Sequence, residues 1–174
     1  TAITEHFFGQ QYDLHGGGID LIFPHHEAEI AQQEAASGKK PFVRYWMHTA
    51  FLNINSAKMS KSKKNFLSLE GALAQYDYKT LRFFFLSNHY RTAMDFTPEV
   101  LEQAKNGLQR LKDFNLKIKE DYDDKEHKAA ITEFSHKFYS CLDDDFDTPN
   151  AVAALVDFVR QANTKGKPGK RIYA

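Results

Sequence analysis

Chemistry in this chain begins with the stretch "HGGGIDLIFPHHEAEIAQ", His15 to Gln32. His25 and Glu29 are four positions apart, so on a helix they share a face one turn apart. Imidazole and carboxylate both suit Zn²⁺, which also wants a third and a fourth ligand. His26 would lie about 100° around such a helix from His25 and makes a worse partner for Glu29. The same spacing also fits a solvated helix with an i,i+4 His–Glu contact, and "HHEAE" is not the H-E-x-x-H arrangement of metalloproteases. Gly16, Gly17 and Gly18 let backbone amides approach a phosphate or a ribose, with Asp20 accepting from hydroxyls. The run matches neither the P-loop nor the G-x-G-x-x-G fingerprint, and a plain turn is the competing reading. The second stretch is "KMSKS", 58–62. Lys58 and Lys61 on a short loop can clamp a polyphosphate and neutralise charge that develops in phosphoryl chemistry; a solvated basic loop is the alternative.

These residues need elements to hold them. Tyr12 and Leu14 can end a strand, and the glycines 16–18 are expected to break regular structure. "IDLIF" is a short apolar segment before Pro24, and helix formers then run to Gly38, which predicts a helix over about 25–36. "RYWMHTAFLNIN" (44–55) is β-branched and aromatic enough for a strand, with Trp46 and His48 as core or pocket-wall residues. Helices follow. Ser68 is a candidate N-cap for 68–76, and "DYKTLRFFFLS" (77–87) is apolar almost all round and so expected to be buried. Thr97 as N-cap, Pro98 at the first helical position and Glu99 in the first turn open a helix over 97–120. Leu101, Ala104, Leu108 and Leu111 line one face of it. Ile131, Phe134, Phe138 and Leu142 repeat that pattern, and Thr148-Pro149 restarts a helix with Val152, Leu155, Val156 and Val159 inward. Residues 1–13 carry no periodic signal of their own. The basic tail, 164–171, is a linker or an end and has no assigned role.

Composition bounds the rest. The 174 residues, 42% apolar and 14% aromatic, can bury a core. With 23 basic and 23 acidic side chains the formal charge is zero, so any basic face is local. The single cysteine, Cys141, rules out an internal disulfide and fits a reducing, cytoplasmic setting. No apolar run approaches the roughly 20 residues that cross a bilayer, so no membrane partner is expected.

Three stretches in order, "YDLHGGGIDLIFPHHEAEIAQ", "RYWMHTAFLNINSAKMSKSKKNF" and "TLRFFFLSNHYRTAMDF", make the chain similar to the catalytic core of cysteinyl-tRNA synthetases, class I aminoacyl-tRNA synthetases. The match is close over 12–96 and looser through "CLDDDFDTPNAVAAL". The resemblance implies an α/β fold, the C-terminal half of a Rossmann-type catalytic domain (1–50), then a connecting region with the KMSKS loop (51–96). An α-helical bundle region that binds tRNA would occupy 97–174. It implies ATP, with Mg²⁺, and cysteine as substrates, tRNA(Cys) as partner, and a monomer. In the family one Zn²⁺ is held by two cysteines, a histidine and a glutamate; His25 and Glu29 match the last two. His15 matches the histidine lining the amino-acid pocket. Gly17, Gly18 and Asp20 fall where adenosine and the substrate's polar groups are held. Lys58 and Lys61 match the signature lysines, with Lys61 the expected main ATP contact.

The departures are specific. The family's "HIGH" motif and both zinc cysteines would lie before Thr1, so the chain reads as a piece of a longer protein, inactive alone and without full zinc ligation. Ala28 stands where the family has Asn, and Lys63-Lys64 where it has Leu-Gly. Two alternatives share these features: the ligase that joins cysteine to glucosaminyl-inositol in mycothiol synthesis, and a non-catalytic paralogue that binds nucleotide or tRNA.

Overall fold

The computed structural model of the chain describes residues 1–54, 57–58, 67–118 and 128–165, arranged as two compact units. The first takes in Thr1–Met59 and Tyr90–Met94, the second Ser60–His89 and Asp95–Ala174. Lys61 and the rest of the signature loop beyond Lys58 lie outside the described residues, as does the tail from 166 onward.

The first unit opens with helix α1 (Ala2–Phe8), which the sequence did not announce. Ile3, Phe7 and Phe8 on it are 77, 73 and 67% exposed, so no buried stripe gives it a period. Strand β1 (Tyr12–Gly18) then runs through all three glycines, contrary to the expected break. The reason is pairing: β1 lies parallel to β2 (Val43–Thr49), with Gly16, Gly17 and Gly18 opposite Met47, His48 and Thr49. Parallel neighbours need a crossover, and helix α2 (Glu27–Ser37) supplies it. Between β1 and α2 the chain makes a 3-10 turn, Ile19–Leu21, and a wider turn, Ile22–His26, with Phe23 extended at φ −132° and ψ 135°. The helix stops at Gly38, whose left-handed φ of 68° closes a cap on the Glu34 carbonyl. Phe42 and Val43, 1 and 3% exposed, anchor the unit's core, and Tyr12 meets the Phe42 ring edge-on at 5.2 Å.

The expected strand 44–55 is broken in two at Ala50-Phe51. Strand β3 (Leu52–Ile54) follows and pairs antiparallel with β4 (Ala57–Lys58). Ala50 donates to the Tyr90 carbonyl (2.8 Å), and Met94, the first residue of strand β5 (Met94–Phe96), donates to the Phe51 carbonyl (3.1 Å).

In the second unit the capping signals hold, while Val156, expected inward on the last helix, is 37% exposed. Ser68 caps α3 (Leu69–Gln75) by accepting from the Gly71 amide at 3.0 Å, and Asp77 caps α4 (Tyr78–Leu86) through the Lys79 and Thr80 amides. Thr97 caps α5 (Pro98–Lys117). Helix α4 is not buried all round: Thr80, Leu81 and Phe84 face inward, while Tyr78, Phe85 and Leu86 are 58, 43 and 46% exposed. Phe84 packs edge-to-face on Phe96, and Leu101 and Ala104 of α5 are buried. Helices α6 (Lys128–Asp143) and α7 (Thr148–Lys165) form a hairpin whose turn uses left-handed Asp145 and Phe146. Phe114, Ala130, Phe158, Val159 and Ala162 make a second core there, flanked by Phe134 and Leu155. Cys141 is half-buried in α6.

Candidate functional site

Successive strand residues alternate between faces. Register places His15 beside Trp46 and Gly17 beside His48, so these four share one face of the β1–β2 pair. The turn 22–26 and the start of α2 supply His25, His26 and Glu29.

His15 is fixed from two sides. Its Nδ1 hydrogen-bonds the Tyr12 hydroxyl, and its ring stacks on Trp46 at 4.8 Å with a 26° tilt. That leaves Nε2 to face Glu29 Oε2, 3.5 Å away. Glu29 Oε2 is buried and has no hydrogen-bond partner. A carboxylate oxygen in that state is costly unless something else completes it. His25, 60% exposed, brings Nε2 to 3.9 Å from Glu29 Oε1. The predicted pair therefore stands at the edge of contact, one member in solvent.

His26 is the residue the sequence undervalued. Only 3% exposed, it places its ring 4.8 Å from His15, 5.0 Å from Trp46 and 5.0 Å from His48. Its Nδ1 lies 2.8 Å from His48 Nε2, one of the two nitrogens carrying the shared proton. Burial lowers its pKa, and the neighbouring His15 and His48 push the same way, with Glu29 opposing. The Tyr12 hydroxyl is pushed up, by burial first and by Glu29 second. Ligand atoms of His15, His26 and Glu29 lie within 4.8 Å of one another, the one such group among the described residues. Imidazole and carboxylate donors, with a buried carboxylate oxygen among them left without a hydrogen-bond partner, fit Zn²⁺.

Sequence spacing missed His26 because it assumed one regular helix from residue 25. The wider turn at Pro24 instead directs His26 inward and His25 outward. The parallel register, which puts Trp46 and His48 above His15 and Gly17, is non-local and left no mark in the local pattern.

Gly17 is half-buried, and a Cβ there would stand 2.6 Å from His26 Cε1. A Cβ on Gly18 would meet only the Asp20 carboxylate, an exposed side chain that can swing aside. Asp20 lies in the 3-10 turn after β1, at the exposed end of the same strand. Lys58 lies in β4.

Comparison with known proteins fits this arrangement. Residues 1–106 match the family of tRNA synthetases class I (C), catalytic domain, and residues 137–172 match the DALR domain. The chain is 47% identical over 173 residues to the cysteine–tRNA ligase of Geobacter sp. (strain M21), covering 94% of the chain and 36% of that relative. It is 45% identical over 171 residues to the cysteine–tRNA ligase of Bacillus cytotoxicus, covering 94% of the chain and 37% of the relative. It thus spans little more than a third of their length. Among solved structures it resembles a LeuRS of Agrobacterium radiobacter K84, from a ternary complex with tRNA and LeuAMS. The TM-score is 0.69 at 14% identity over 88% of the chain and 23% of that protein, a likeness of fold. The fold is mixed α/β followed by helices, and no described helix is long and apolar enough to cross a membrane. By its catalytic-domain match over more than half its length, the chain belongs to the class I (C) tRNA synthetases.

Proposed function

We propose that the protein carrying this chain activates cysteine with ATP and transfers it to tRNA(Cys). The observation that carries the reading is the buried, unpartnered Glu29 Oε2 facing His15, in a chain 47% identical to a cysteine–tRNA ligase. His25 and Glu29 would hold zinc on this reading, with His15 on the amino-acid side. When bound, zinc supplies a preference for thiolate over hydroxyl, which an apolar pocket could not provide between cysteine and serine.

The chain's own residues do the rest. The Tyr12 bond and the Trp46 stack pre-set the His15 ring, so substrate binding need not order it. Gly18 and Asp20, at the exposed end of β1, stand on the adenosine side, Asp20 accepting from hydroxyls. The cysteine carboxylate attacks the α-phosphate of ATP; cysteinyl-adenylate forms and pyrophosphate leaves with Mg²⁺. Lys58 and Lys61 neutralise the charge growing on the departing pyrophosphate, a contribution larger in the transition state than in the ground state. A terminal ribose hydroxyl of tRNA then takes the acyl group. Residues 1–50 serve as the half-domain of the active site, 51–96 as the connection with the signature loop, and 97–174 as helices toward tRNA. The enzyme works as a cytoplasmic monomer.

The test is cysteine-dependent ATP–pyrophosphate exchange by the full-length protein, with zinc counted per chain in wild type and His25→Ala. Exchange together with one zinc, lost in the variant, is expected. Absence of zinc from active wild type refutes the selection mechanism. Charging of glucosaminyl-inositol instead of tRNA moves the protein to mycothiol synthesis, and absence of exchange makes it a non-catalytic relative.

A further inference from the structure

The glycine at position 17 suggests at first an approach of backbone to phosphate. The structure offers a different occupant for the missing side chain. An added Cβ would meet His26 Cε1 at 2.6 Å, which real Cβ contacts do not tolerate without a shift, and Nε2 at 3.1 Å, a tight contact. The third neighbour, Leu21 Cδ1 at 3.2 Å, is the end of a side chain 37% exposed and can give way. His26 has nowhere to go. It is 3% exposed, flanked by the His15, Trp46 and His48 rings at 4.8 to 5.0 Å, and tied to His48 through Nδ1.

We propose that Gly17 and His26 are positioning residues of this site: the bare Cα of Gly17 seats the His26 ring, and His26, held on His48, fixes the first turn of α2 so that Glu29 faces His15. This inference rests on the metal-centre reading above. It assigns His26 no ligand bond and no proton transfer; its work is done through Glu29. Groups that orient metal ligands commonly change metal affinity by about 10- to 100-fold when removed.

The geometry also supplies its own rescue. Asn reproduces the Nδ1 end of His26, which bonds His48, and lacks the Cε1 and Nε2 atoms that crowd Gly17. The experiment measures Zn²⁺ affinity against a competing chelator in the full-length protein, for wild type, Gly17→Ala, His26→Ala, His26→Asn and Gly17→Ala/His26→Asn. The zinc-free unfolding midpoint of each is recorded to check folding. The expected result is a loss on the order of 10-fold or more for Gly17→Ala and for His26→Ala. His26→Asn keeps most of the affinity, and the double variant matches His26→Asn. The KM for cysteine should rise in Gly17→Ala while that for ATP stays.

Wild-type affinity in Gly17→Ala overturns the inference and leaves the zinc reading standing. So does an equal loss from Gly17→Ala in the His26→Asn background, above all with a raised KM for ATP, because Gly17 then serves a ligand and not His26. A wild type that binds no Zn²⁺ overturns both.

Discussion

Replacing Glu29 by Met should stabilise the zinc-free protein locally while removing its response to zinc. In the structure Glu29 Oε2 is buried and unpartnered, with His15 Nε2 at 3.5 Å and His25 Nε2 at 3.9 Å from the other oxygen. An unsatisfied buried oxygen costs about 1–3 kcal/mol. The two imidazole contacts, with His25 mostly in solvent, return about 0–1 kcal/mol. Met is similar in length and carries no such atom, so the zinc-free variant should gain about 1 kcal/mol, roughly fivefold in a local equilibrium. Zinc at 100 times its dissociation constant stabilises the wild-type site by about 2.7 kcal/mol, which is roughly 100-fold in the population of openings that release it. Amide hydrogen exchange along α2 reads both quantities from one helix in the intact protein. In chelator, the variant's α2 amides should exchange about fivefold more slowly than wild type. With zinc added, wild type should slow by about 100-fold and the variant should not respond. Faster exchange by the variant in chelator would show that Glu29 is satisfied without metal. Persistent zinc protection in the variant would remove Glu29 from the ligand set.

The helical unit invites simpler perturbations. Phe158, 3% exposed, stacks on Phe134 at 4.9 Å and meets Phe114 edge-on at 6.2 Å, so Phe158→Ala should cost about 4 kcal/mol and Phe158→Leu much less, read from exchange in α6 and α7. Gly107→Ala should fail to deliver the roughly 1 kcal/mol that helix propensity promises, because its Cβ would sit 2.8 Å from Phe83 Cε1; with Phe83→Ala in the background, urea unfolding should recover the gain. The Asp77 carboxyl is held below its ordinary range, chiefly by the Thr80 hydroxyl and then by the Thr80 and Lys79 amides. Its contribution to α4 is therefore complete above about pH 4, lost as pH falls through the lowered value, and absent from the acid limb of Asp77→Asn, as the Lys79 and Thr80 amides would report.

What the sequence disclosed was what neighbours in the chain decide. Ser68 and Thr97 mark helix starts through bonds from amides three residues on, Pro98 by its preset φ at the first helical position, and each start lies within a residue of its expected place. Glu29 was legible as a candidate donor from its spacing to His25, yet the inward imidazole of the pair "HH" was not, since the turn at Pro24 displaces both from a regular helix. The glycine run read as a break because its partner strand lies some thirty residues away, and only that pairing makes Gly16–Gly18 a strand. The all-round apolar character of "LRFFFLS" gave no hint that Phe85 and Leu86 face outward, as hydrophobicity alone does not say where neighbours end.

The strand–helix–strand unit from Tyr12 to Thr49 carries the imidazole and carboxylate groups of the site and the wall behind them: His15 on the first strand, His25, His26 and Glu29 at the crossover, Trp46 and His48 on the second. During synthesis these groups leave the ribosome as one short, contiguous length, before the helical unit from Leu69 onward has emerged. Closing a loop of this size is fast compared with translation. The pocket wall can thus be laid down vectorially, its imidazoles and carboxylate already gathered when the later helices emerge. A damaging change in those helices would then leave this wall assembled, so nascent chains just long enough to clear Thr49 from the exit tunnel should already show the His15–Trp46 stack.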